Sequence, residues 1–336
     1  HSREEGHSRE EGHSREEGHS REESRAREEG GGAREEGHSR EEGCGSQEGG
    51  AGQEIDGRQE VGGTASYVTR PPPIAYGSHV RLATWNVNSL RARMPRVEEW
   101  FADVRPDVVC MQETKLAEDA FPTDFFTALG YESVHHGQGQ WNGVAIVSRV
   151  GLENPVRGFA DGRDPDPEAR LVTATCAGIR VSSVYVPNGR ELDHDHYRYK
   201  LAWMKRLVAH LEANESPSSD VIVTGDFNIA PDDRDVHDPA KYVGSTHVSE
   251  PEREALRELE RWGMTDVFRR HHPDEKLFSW WDYRAGAFNQ GHGMRIDLVM
   301  ATASAATKCR WISVDRQARK GDKPSDHAPV VVDIDV

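Results

Sequence analysis

The run Val221-Ile222-Val223-Thr224-Gly225-Asp226-Phe227-Asn228 decides how this chain is read. A short β-branched stretch closed by Gly and Asp predicts a buried strand. Asp226 and Asn228 then stand at the strand's end, where a sheet holds polar side chains rigidly at the mouth of a cleft. The same arrangement recurs elsewhere. Arg81-Leu82-Ala83-Thr84 runs into Trp85-Asn86-Val87-Asn88, and Val108-Val109-Cys110-Met111 into Gln112-Glu113-Thr114. Pro324-Ser325-Asp326-His327-Ala328-Pro329 leads into Val330-Val331-Val332. Separate strand ends thus deliver Asn, Glu, Asp and His to one place, the side-chain set of a hard-cation phosphoryl-transfer site.

Further strands are predicted at Val80–Val87, Asp107–Gln112, Gly143–Ser148, Leu171–Ala177, Arg180–Val186, Asp220–Gly225, Arg295–Ala301 and Pro329–Ile334. The short gap from Cys176 to Ile179 indicates an antiparallel hairpin. Helices are predicted at Met94–Val104, Ala120–Leu129, His194–Glu212 and Pro251–Trp262. In the third, Tyr199, Trp203, Leu207 and Leu211 recur at helical spacing. The expected fold is an α/β, four-layer sandwich of two mixed β-sheets flanked by helices, in one catalytic domain over 79–336.

Hydrolysis of a phosphodiester needs an activated water, a Lewis acid on the phosphate and stabilisation of the leaving oxygen. Glu113 is a hard oxygen donor suited to Mg²⁺, and Asn86 and Asp326 complete that side. Asp226 is placed to orient or deprotonate water, with Asn228 pointing the same way. His327 is a donor to a phosphate oxygen, kept charged by a carboxylate partner, for which Asp297 is available. Tyr185 ends its strand before Pro187-Asn188-Gly189 and offers a phenol. Any one of these residues alone is an ordinary turn or cap residue. Their joint occurrence at strand ends carries the reading. Asp232-Asp233-Arg234-Asp235 reads as a solvated loop.

Composition narrows the remaining possibilities. The net charge is −16, and residues 1–60 hold 9 Arg against 18 Asp or Glu, a balance of −9 that leaves −7 for the rest. Such an acidic chain is not a non-specific nucleic-acid coat, though a nucleic-acid enzyme can carry its basic residues around an acidic centre. Cys44, Cys110, Cys176 and Cys309 form no CxxC pair, so three read as small buried hydrophobes and no zinc or disulfide framework is expected. No apolar run of about 18 residues occurs, so no membrane span is expected, and a cytoplasmic compartment is. His-Ser-Arg-Glu-Glu-Gly repeats from residues 1, 7, 13 and 38. This segment has almost no apolar residue and reads as a disordered low-complexity tail (1–60), followed by a Pro-containing linker (61–78). The first methionine is Met94, so the tail is expected to be a fragment or upstream sequence translated from a misplaced start.

These blocks together resemble the exonuclease III family, the bacterial abasic-site endonuclease type of the endonuclease/exonuclease/phosphatase superfamily. Leu82 to Arg91, Gln112 to Lys115, Tyr185 to Gly189, Gly225 to Ala230, Phe278 to Arg284, Arg295 to Asp297 and Ser325 to Pro329 occur in family order. The resemblance covers about 79–336. It implies that Glu113 and Asn86 bind the metal with Asp326 near it, and that Asp226, Asn228 and His327 are a possible second site, leaving one ion or two open. It gives Asp226 the nucleophilic water, Asn228 the transition state, Tyr185 the phosphate or leaving group, and Asp297–His327 the role of a polarised pair. Arg91, Lys115, Asn188 and Arg284 match positions that touch the DNA backbone. Trp280, Met294 and Ile296 match a pocket for a flipped abasic sugar.

The expected function is Mg²⁺-dependent hydrolysis of DNA phosphodiester bonds, with Mn²⁺ as a substitute. It comprises abasic-site endonuclease and 3′→5′ exonuclease activities on double-stranded DNA, by a monomer. Two readings compete. A superfamily phosphatase acting on inositol phosphates or lipids is opposed by the Trp280 block and Arg91. A catalytically inactive DNA-binding relative is opposed by the complete acidic and His set.

Overall fold

Each β-branched run named above forms a strand in the computed structural model, which describes residues 79–336. The tail and linker expected at 1–78 lie outside these residues. In chain order the first half contains β1 (His79–Asn86), α1 (Leu90–Val104), β2 (Val108–Gln112), α2 (Thr123–Ala128), β3 (Glu132–His136) and β4 (Val144–Ser148). There follow β5 (Glu153–Arg157), β6 (Leu171–Cys176), β7 (Ile179–Tyr185), α3 (Asp195–Asn214), β8 (Val221–Asp226) and α4 (Glu250–Trp262). The last part holds β9 (Met264–Asp266), α5 (Val267–His271), β10 (Trp280–Trp281), α6 (Ala287–Gln290) and β11 (Gly293–Met294). It closes with β12 (Asp297–Thr302), α7 (Ala303–Lys308), β13 (Cys309–Val314) and β14 (Val330–Asp335).

The strands build two six-stranded sheets, ordered β13-β14-β1-β2-β4-β3 and β5-β6-β7-β8-β12-β9, with β10-β11 as a separate ribbon. Only β1–β2 and β7–β8 pair in parallel, each pair joined by a long helix, α1 or α3; the other pairs are antiparallel. Three apolar layers explain the stacking. Leu82, Cys110 and Ile146 of one sheet meet Val172, Val181 and Val299 of the other in a central core. The outer face of the first sheet packs Ala83, Met111 and Val147 on Trp100 and Phe101 of α1 and Phe126 of α2. The second packs Val184, Val223 and Leu298 on Trp203, Leu207 and Leu211 of α3 and Leu256 and Leu259 of α4. The chain is therefore the expected four-layer α/β sandwich.

Differences from the sequence reading have local causes. Ser89 caps α1, so the helix starts at Leu90 rather than Met94. Pro122 confines the second helix to Thr123–Ala128, after a separate 3₁₀ turn at Glu118–Ala120. The Cys176–Ile179 hairpin turns through Ala177 and Gly178, both at positive φ, as a two-residue connection requires. Asp232–Asp235 is a solvated turn only in part, with Asp233 and Arg234 exposed but Asp235 not. Asp235 is fully buried and accepts from Arg295 Nε at 2.6 Å and Arg269 at 2.5 Å. Burying the Arg295 guanidinium requires such carboxylates around it, and Asp266 supplies another. Cys110, Cys176 and Cys309 are buried free thiols, as read. Among the described residues no helix is long and apolar enough to cross a membrane.

Candidate active site

Strand register sets one half of the site. Tyr185 on β7 pairs with Asp226 on β8, and Asp226 pairs with Asp297 on β12, so three adjacent strands present these side chains at one level. Gly225 is required for this. Its φ is +152°, and a Cβ there would lie 1.9 Å from the Val184 carbonyl oxygen. The other sheet supplies the facing half, with Asn86 opposite Gln112 at the ends of β1 and β2, and Glu113 one residue beyond. Glu113, Lys115 and Asn228 have φ of 50°, 52° and 51°. Such left-handed backbone in non-glycine residues concentrates at functional sites.

Glu113, Asp226 and His327 each offer a ligand atom within 4.8 Å of the others. Asn86 Nδ2 donates to Glu113 Oε1 and to Asp226 Oδ2, both at 2.9 Å, while its oxygen accepts from the Asn88 N–H. Tyr185 Oη donates to Glu113 Oε1 at 2.9 Å. Lys115 Nζ sits 2.8 Å from Glu113 Oε2. His327 Nδ1 is 2.9 Å from Asp297 Oδ2, and its Nε2 is 3.8 Å from Asp226 Oδ2. Asn228 folds back on Asp226, donating its backbone N–H to Oδ1 at 2.9 Å.

Electrostatics follow from crowding charges in a buried place. Burial, opposed by His327 and assisted by Asp297, raises the Asp226 carboxyl to about 7. Burial pushes His327 down, but Asp297 and Asp226 outweigh it and hold the ring charged well above neutrality. Burial and the neighbouring Glu113 raise the Tyr185 phenol far above its ordinary range, so it remains a donor. For Glu113, burial is outweighed by Lys115 and Asn86, and the carboxyl stays ionised.

Glu113, Tyr185, Asp226, Asn228 and His327 line one cleft of about 730 Å³ with Asn188, Arg284 and an apolar wall. That wall joins Met294 and Ile296 with Ala230 and Val236, and Trp280 packs against them. Trp280 Nε1 also donates to Asp326 Oδ2 at 3.1 Å, and Asn88 Nδ2 to Asp326 Oδ1 at 2.9 Å. Asp326 lines the same cleft beside the three-residue cluster, in which Asp226 is the carboxylate next to Glu113. The backbone-contact candidates are divided. Arg284 is exposed on the rim, in an ion pair with Asp282. Asn188 reaches inward to Asn228 Oδ1 at 3.2 Å. Lys115 is turned onto Glu113, and Arg91 is exposed on α1, outside the cleft lining.

Sequence reasoning missed the support beneath. Lys200 and Glu252 form a fully buried ion pair. Lys200 donates to the carbonyls of Asn228 at 2.7 Å and Asn188 at 3.2 Å, while Glu252 accepts the His247 N–H at 2.9 Å. His247 Nε2 in turn lies 3.1 Å from Asn228 Oδ1. Only the Ser249/Glu252 spacing, a capping box, was visible as a signal.

Comparison with known proteins agrees with this geometry. A model of the Endonuclease/Exonuclease/phosphatase family matches residues 83–327. Exodeoxyribonuclease III of Haemophilus influenzae is 30% identical over 263 residues, covering 75% of this chain and 98% of the relative. The chain belongs to the exonuclease III/AP endonuclease family. The solved structure of an AP endonuclease from Archaeoglobus fulgidus is 39% identical with a TM-score of 0.74, covering 76% of this chain and 100% of that one. That of a 3′ phosphatase from Neisseria bound to a product DNA hairpin is 37% identical with a TM-score of 0.73, at the same coverage. Both solved structures are covered over their full length by about three quarters of this chain.

Proposed function

We propose that this chain is a divalent-metal-dependent DNA repair phosphodiesterase that cleaves at abasic sites and trims 3′ ends, acting as a monomer. The observation that carries the proposal is the position of Glu113, Asp226 and His327 in the same cleft as the apolar wall of Trp280, Met294 and Ile296. A phosphate at the charged end and a base-free sugar against the wall fit one substrate.

The donor set suits a hard cation. Glu113 and Asp226 offer buried carboxylate oxygens, whereas His327, held charged by Asp297, is the poorer ligand. Mg²⁺, or Mn²⁺ in its place, held by Glu113 and Asp226 with Asn86 beside them, would supply Lewis-acid chemistry and neutralise phosphate charge. Asp226, with a carboxyl poised near neutrality, takes the proton of the attacking water. His327 donates to a phosphate oxygen while Asp297 fixes its ring, and Asn228 and Tyr185 direct N–H and O–H donors at the developing charge. The Neisseria relative supports a 3′-phosphomonoester as a further substrate of the same cleft.

The test is a duplex carrying one abasic-site analogue beside an intact control, with Mg²⁺ or with chelator. Arms with a 3′-phosphorylated duplex and with an inositol phosphate accompany it. Incision at the analogue that chelator abolishes is expected. Turnover of the inositol phosphate alone would transfer the site to the phosphatase branch, and DNA binding without turnover would mark an inactive relative.

A further inference from the structure

Arg170, which the sequence reading left without a role, grips Tyr185 from behind. Its guanidinium carbon lies 4.6 Å from the centroid of the Tyr185 ring. NH1 donates to the Tyr185 carbonyl at 3.0 Å, and the Tyr185 N–H donates back to the Arg170 carbonyl at 2.8 Å. An ion pair from Nε to Glu168 fixes the plane of the fork, and the Arg170 side chain is only 4% exposed. Arg170 itself does not line the cleft.

The phenol is the far end of a lever with two soft torsions, and its Oη ends on Glu113 Oε1. Whatever fixes the ring therefore fixes where the O–H points. A guanidinium stacked on an aromatic face, with backbone bonds at both ends of the same residue, restrains that lever more closely than apolar packing alone. We infer that Arg170 is a positioning residue for hydrolysis, acting through the Tyr185 phenol. The inference rests on the nuclease reading given above. The competing account is that Arg170 merely ties the start of β6 to the end of β7, in which case its loss acts on folding and not on the phenol.

A kinetic double-mutant cycle separates these accounts: the full chain, Arg170→Met, Tyr185→Phe and the double variant, on the abasic-analogue duplex with Mg²⁺. Failure of the unmodified chain to incise would remove the nuclease reading and this inference with it. If the unmodified chain incises, Arg170→Met should lower kcat by roughly tenfold or more, because displacement of a reacting donor is costly. KM should move by less than about twofold, the signature of a group used only in the transition state. In the Tyr185→Phe background, which keeps the ring but has no O–H to position, the same change should alter kcat by less than about twofold. Equal losses in both backgrounds overturn the inference. Arg170→Lys keeps the charge without the planar fork and should fall between the two. If the Met variant melts too low to assay, the cycle is run with Lys, whose smaller loss in kcat should likewise vanish in the Tyr185→Phe background, equal losses in both backgrounds again overturning the inference.

Discussion

Trp280 concentrates the substrate question in one side chain. It is partly buried, lies on the apolar wall with Met294 and Ile296, and anchors its indole N–H on Asp326. If it shapes a pocket for a flipped sugar, Trp280→Ala removes stacking worth on the order of 1–3 kcal/mol. Incision at the abasic analogue should then fall roughly tenfold or more, with a small change in melting temperature. A core role would instead cost about 3–5 kcal/mol of stability, and all activities would fall with the folded fraction. Melting and turnover on the same variant decide. The residues of the candidate site were legible because each stands at one end of an apolar strand, and a strand end is a local signal. Arg170, Lys200, Glu252 and Asp235 were not, because each owes its burial to a partner that only the fold brings near. Lys200 and Glu252 lie 52 positions apart in the chain, and Arg295 and Asp235 lie 60 apart. No periodicity reports such pairs.

At the scale of elements, long apolar strands were read to within a residue or two, whereas the edge strands β3, β5, β9 and β13 and the two-residue strands β10 and β11 were not read at all. β5 has a mostly exposed pattern and occupies the edge of its sheet, and β3 and β13 are the edges of the other. Edge strands pair on one side only, so they carry polar residues and lose the β-branched signature. The edge strand β3 also carries a titrating group that couples it to the site. His135 stacks on Phe121 at 4.6 Å, and its Nε2 lies 2.9 Å from Thr114 Oγ1, next to Glu113. Burial pushes its imidazole down to about 4, against the opposing pull of Glu118. The folded state thus favours the neutral ring, while the unfolded chain takes up a proton near 6.5. The contribution is complete above pH 6.5 and is lost as pH falls towards 4, amounting to on the order of 3 kcal/mol. Thermal melts should show a falling acid limb in that window, and His135→Gln should flatten it. An unchanged limb in the variant would assign the acid sensitivity to other groups.

For the whole molecule, two sheets with outer helices were legible from strands joined by a hairpin or by helices, and the stacking of those sheets brings Asn86 and Glu113 against Asp226 and Asp297. The relation of the first 78 residues to that sandwich rests on different grounds. Exodeoxyribonuclease III of Haemophilus influenzae is matched over 98% of its length by 75% of this chain. The relative's fold is therefore built without a counterpart to the acidic repeat segment. Removing residues 1–60 should leave melting temperature and specific incision unchanged. It also removes a net charge of −9, which repels a polyanionic substrate at long range. Binding to duplex DNA should consequently tighten at low salt and converge with the full chain at about 0.15 M, where the Debye length is roughly 8 Å. Affinity titrated against ionic strength for both chains checks this. A loss of incision on truncation, at any salt, would mean that the segment contributes to the catalytic domain by direct contact and not by charge.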